Sequence, residues 1–174
     1  MSLFDIILLV LLGGFTLFGL WFGFVHALGS LIGTFVGVYM ASRYYEPLAD
    51  WLIKNVGWSA NFSKVLVFIV AFLIINRLVG LVFYFIDKIL YIFTHLPYIH
   101  GLNRVLGLVF GFLEGMLVLG TIFYFIARFP VSANFMSALS SSQIAPLTIN
   151  FASVLLPFIP DAIKILKSTI NTII

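Results

Sequence analysis

From Ile6 to Ser42 the chain holds no Lys, Arg, Asp or Glu. A single helix over that stretch would measure about 55 Å at 1.5 Å per residue, against a hydrocarbon core of about 30 Å. The run is too long for one span and too apolar for a soluble surface, so it reads as two spans joined by a tight turn. The turn falls at Gly19-Leu20-Trp21-Phe22-Gly23-Phe24, where two glycines flank a tryptophan suited to a membrane interface. Span one is expected over about 4–20 and span two over about 24–43. A re-entrant hairpin is the alternative, because each half is short.

The rest of the chain agrees with a lipid environment. Of 174 residues, 63% are hydrophobic and 9% are charged, and the mean hydropathy is +1.21. Soluble domains carry about 25% charged residues, so this chain has too little polar surface to dissolve a globule. The lipid bilayer is therefore its first partner. A net charge of +3 with scattered Lys and Arg excludes a nucleic-acid footprint, which needs clustered cations. Cysteine is absent, which removes disulfides, thiolate metal sites and Cys nucleophiles. The N-terminus carries Asp5 where a signal peptide has a basic region, so the first apolar segment is expected to stay in the mature protein.

Two further spans follow, near 64–86 and 104–127. The fourth opens with the stretch LNRVLGLVFGFLEG, residues 102–115. At about 100° per residue, Arg104, Gly107, Gly111, Glu114 and Gly115 share one stripe. Glycine is a poor helix former, so three on one face call for close approach of another helix. Span two repeats the device with Gly29, Gly33, Gly37 and Ala41, and adds His26, Ser30 and Thr34 to the same stripe. Helix packing is the simpler reading of both seams. The sharper one is a polar seam that meets Arg104 or Glu114.

The fold class expected is all-α and integral to the membrane, with four spans arranged as two hairpins. Glu46-Pro47 looks like the start of a separate interfacial helix over about 47–56, anchored by Trp51 and Trp58. After Arg128 the serines and prolines cut residues 129–174 into short interfacial helices, of which the one from Asp161 is plainly amphipathic. Arg43, Lys54, Lys64 and Arg128 share a side with both termini, while Lys88 and Arg104 lie opposite. The bias puts both termini in the cytoplasm.

Ions inside spans are costly and point to function. Arg77 lies about 20 Å along span three from Lys64, and Glu114 about 14 Å along span four from Val105. The two helices are antiparallel, so an Arg77–Glu114 ion pair or a shared polar pocket is expected. His26 reads as a turn histidine, and His95 with His100 as members of a wet loop. His26 has no second His or carboxylate at metal-ligand spacing, and two histidines five apart around Pro97 are only a weak metal signal. No metal, other cofactor or catalytic residue is expected: HExxH, GxSxG and a cysteine nucleophile are all missing.

The chain resembles the bacterial colicin V production protein family of small inner-membrane proteins. The resemblance rests on Phe4-Asp5, on Gly19-xxx-Gly23-Phe24, and on the small-residue seam of span two. It rests most on LNRVLGLVFGFLEG, which is similar to the family's D-R-x-L-G-x-x-F-G-x-x-x-G. It continues through Ser142-Gln143-Ile144-Ala145-Pro146 to Leu156-Pro157. Asn103 stands where the family commonly has Asp, Glu114 where a basic residue is expected, and His26 where Arg often follows the turn. The resemblance implies an inner-membrane location and a role in colicin V production or export, and more broadly in envelope physiology. It implies no catalytic residue. Contacts with a second copy or a membrane-protein partner would carry that role. A small oligomeric channel or ion-coupled transporter, built on Asp5, His26, Arg77, Arg104 and Glu114, is the competing reading.

Overall fold

A computed structural model of the chain describes residues 2–93 and 99–158. Its elements are α1 (Leu3–Phe22), α2 (Phe24–Val56), α3 (Ala60–Phe93), α4 (Ile99–Arg128), α5 (Ala133–Ser141), α6 (Ala145–Ala152) and a closing 3-10 turn (Ser153–Phe158). Among the described residues four helices are long and apolar enough to cross a membrane: Leu3–Phe22, Phe24–Val56, Ala60–Ile86 and Gly101–Arg128. Every span expected from the sequence has its helix. The amphipathic segment from Asp161, and His95 with Pro97 in the loop, lie outside the described residues.

The first turn is tighter than expected. α1 and α2 are separated by Gly23 alone, at φ 84, where a side chain would be strained. α1 starts with a reciprocal cap: Ser2 Oγ accepts from the Asp5 N–H, and the Asp5 carboxylate accepts from the Ser2 N–H.

The separate interfacial helix at 47–56 does not form. α2 continues through Pro47 without a break to Val56. Proline removes one backbone bond and crowds the carbonyl four residues back. Here Tyr45 and Ala49 are both buried on either side of it. Tyr45 meets the Phe125 ring edge-on at 5.0 Å and lies 6.3 Å from Phe68. Packing thus carries the helix past the proline where the local sequence suggests a new start. Gly57 ends it in the left-handed conformation, φ 74, with its N–H bonded to Ile53 O at 3.1 Å.

The spans do not pair as the two expected hairpins, α1 with α2 and α3 with α4. The extensive contacts are α2 with α3 and α1 with α4, with α2 also lying along α4; α1 touches α2, and α3 touches α4, only slightly. The glycine seams explain this. A Cβ at Gly107 would strike Gly19 O and Gly23, and one at Gly111 would strike Phe15 O at 2.6 Å. The Gly107/Gly111/Gly115 face is therefore filled by α1 of the same chain. On α2, Gly29 faces Phe83, Gly33 faces Asn76, and Gly37 faces Phe72, all on α3. Below these seams the core is aromatic: Phe68 stacks on Phe125 with centroids 3.7 Å apart and planes at 6°.

Of the segment after Arg128, which the sequence reading laid on the membrane surface, the described residues 129–158 pack against the bundle. α5 and the helical stretch Ala145–Pro157 meet at 89°. Ala145 and Thr148 are fully buried, and a Cβ at Gly120 of α4 would strike Thr148 O and Ala152. Small residues on α6 let it sit on α4 as closely as α1 does.

Close backbone contact predicts a sharp contrast between glycines. Gly111→Leu should lower stability in detergent by about 3 kcal/mol or more, because no rotamer change can move a facing backbone. Gly13→Leu, where a Cβ meets nothing within 4 Å, should be neutral or gain about 0.5–1 kcal/mol from helix propensity. Thermal melts of the two purified variants check this.

Candidate functional site

Polar side chains within the spans gather where α2, α3 and α4 meet. His26, Ser30 and Thr34 recur every fourth residue on one face of α2, and all three are buried. Thr34 Oγ1 donates to Ser30 O at 3.1 Å, and Asn76 Nδ2 of α3 donates to Thr34 Oγ1 at 3.1 Å. Glycine makes this crossing possible. A Cβ at Gly33 would lie 2.8 Å from Asn76 O, and one at Gly80 would lie 3.1 Å from Ser30 Oγ.

Glu114 enters the same region from α4. The Ser30 hydroxyl is within its hydrogen-bonding reach, and Arg77 acts on it through charge. Arg77 itself is exposed, and its guanidinium carbon lies 5.4 Å from the centre of the Phe18 ring. His26 sits among rings: Phe22 at 4.8 Å, Phe18 at 6.0 Å, and Tyr84 at 6.2 Å. The cluster thus offers a cation, a carboxyl group and hydroxyls within the spans, with an imidazole in the first turn of α2. Such groups hold a counter-charge or pass a proton. Among the described residues no group of three His, Cys, Asp or Glu is placed to hold a metal ion.

Arg104 does not join this cluster; it is exposed in the first turns of α4. Its neighbour Asn103 does the structural work there. Asn103 Oδ1 accepts from the Phe24 N–H at 2.9 Å, satisfying a free donor at the start of α2, and the Asn103 amide lies where a Gly23 side chain would be. Sequence reasoning noted Asn103 only as a departure from Asp. An amide oxygen accepts this bond as a carboxylate would, without adding a charge.

Asp5 lies in a separate network, and this one was missed. The residue is buried, at 1% exposure. Oδ2 accepts from Ser2 N at 3.0 Å and from Ser2 Oγ at 3.1 Å. Oδ1 accepts from Ser142 Oγ at 2.5 Å, Gln143 N at 3.1 Å and Ile144 N at 3.3 Å. Ser142 Oγ in turn accepts from Ala145 N at 3.0 Å. One carboxylate thus ties the start of α1 to the corner between α5 and α6. Both ends were visible as separate motifs, Phe4-Asp5 and the Ser142–Pro146 element. Nothing in their spacing linked them.

If Asp5 holds the corner, Asp5→Asn and Ser142→Ala should each destabilise the protein, by about 1–3 kcal/mol, since each leaves a buried polar partner unfilled. The double variant should lose clearly less than the two losses added. A double-mutant cycle on thermal melts reads this; simple additivity would break the link.

A family model described as Colicin V production protein matches residues 4–153. No curated protein matches the chain. No solved structure matches it either. The matched range takes in all four spans, the intramembrane cluster and the Asp5–Ser142 network. The chain is a member of the colicin V production protein family.

Proposed function

We propose that this protein is a non-enzymatic component of the bacterial inner membrane that supports colicin V production or export, and envelope physiology more broadly, through helix packing and contacts with partner proteins. The observation that carries the reading is the family match over residues 4–153. The use of the polar groups agrees with it. Asp5, Asn103, Thr34 and Asn76 are engaged in bonds that join helices to one another, which is structural work rather than chemistry. The Lys/Arg bias near the spans supports cytoplasmic termini.

A second reading, an oligomeric channel or ion-coupled transporter, is favoured by one observation: Arg77 is exposed at mid-span with Glu114 close by. Ionisable groups at that depth are where membrane transporters place their pathways.

Two assays separate these. In a colicin V producer that lacks its own family member, this protein should restore toxin release to the medium, and Glu114→Gln should restore it equally. In liposomes the purified protein should give no proton or ion flux above empty vesicles. Flux that disappears in Glu114→Gln would replace the first reading with the second.

A further inference from the structure

Arg77 lies about 20 Å along α3 from Lys64 and about 17 Å from Lys88, which is the middle of the span. It is exposed there, surrounded on the outer face of α3 by exposed Ile74, Leu78, Leu81 and Phe85. Exposed leucines in a span are ordinary. An exposed guanidinium at that depth is not, because acyl chains offer it no acceptor. Its contacts among the described residues are the Phe18 ring and the charge of Glu114, whose carboxyl group is turned toward Ser30.

A second observation lies on α1, beside the first. Ile7, Leu11, Gly14, Phe18 and Trp21 are spaced 4-3-4-3, the repeat of a helix-packing seam. All five are exposed, Trp21 at 83%. A Cβ at Gly14 meets nothing within 4 Å, whereas Gly19, Gly107 and Gly111 each stand against another backbone. Phe18 belongs to this seam and touches Arg77. α1 and α3 are bridged by side chains, Phe18 to Arg77 and Phe22 to Tyr84, so the α1 seam and the exposed face around Arg77 adjoin.

We propose that this joint face receives a transmembrane helix of another protein that carries a carboxylate near its midpoint. Arg77 is the counter-ion and Gly14 the point of closest approach. Charge decides against a second copy as the occupant. The acids of this chain are Asp5, Glu46, Asp50, Asp87, Glu114 and Asp161. Among the described residues only Glu114 of these lies at mid-span, and it faces Ser30 inside its own bundle. Asp5 is buried at the Ser142 corner. The described residues of a copy therefore bring no free carboxylate to the depth of Arg77. A foreign helix with one central acid does. This rests on the partner-contact reading above and names the partner's chemistry.

The test uses the whole protein in phosphatidylcholine vesicles and three labelled probes: polyleucine helices with Lys flanks and a central Glu, Gln or Leu. Association is read by energy transfer from the protein's tryptophans to the probe. The Glu helix should associate at least tenfold more tightly than the Gln or Leu helix. Arg77→Gln should abolish that preference and Arg77→Lys should keep most of it, which separates lost charge from misfolding. Gly14→Leu should weaken association about tenfold. Equal association of the three probes, or an Arg77→Gln variant that keeps the preference, would overturn the proposal. So would self-association through Gly14 that shuts the probes out, since the occupant would then be a second copy. The assay reads association and not toxin release, so its failure leaves the secretion result standing.

Discussion

Lipid tails are as apolar as leucine, so burying leucine gives these helices little reason to associate. What holds them is backbone contact wherever glycine removes the side chain, together with a few hydrogen bonds that have no water to compete with. The α1–α4 contact shows the principle most clearly. Gly19, Gly107 and Gly111 interlock so closely that a single Cβ on either side would strike main-chain atoms. Much else follows from that contact. It commits α1 to α4 although α1 and α2 are joined by one residue. It leaves α2 free to take α3 along its own seam, and it brings Asp5 to the corner that anchors α5 and α6.

The buried polar groups add specificity to this packing. Thr34 and Asn76 join α2 to α3, Asn103 caps α2 from α4, and the Asp5 carboxylate fastens the two ends of the matched region. In the bilayer an amide or hydroxyl without a partner costs several kcal/mol, so each such bond also counts against any other register of the helices. Arg77 is the exception: it is exposed on the outer face of α3 and lies over the Phe18 ring.

Much of this was legible in the residues alone. The spans followed from charge-free length, and the seams from glycine at every fourth position. That Gly29, Gly33 and Gly37 pack was readable; that α3 fills one seam and α1 the other was not, because periodicity names a face and not its occupant. Glu46-Pro47 misled for a related reason. Proline sets a local preference, and the burial of Tyr45 and Ala49 against distant aromatic residues overrode it. The Asp5–Ser142 bond joins residues too far apart in sequence for any local rule. The small residues Ala145, Thr148 and Ala152 were the available sign that the tail packs against α4, but the prolines around them suggested loose surface pieces.

Because the chain has no cysteine, α1–α4 contact can be tested by introducing one pair. A Cβ at Gly115 lies 2.9 Å from Phe15 Cβ, so Phe15→Cys with Gly115→Cys should close a disulfide within one chain under mild oxidation in native membranes. The account predicts an oxidised species at monomer mass. Cross-linking that yields only dimers would show that the glycine face of α4 is filled by a second copy, and would contradict it.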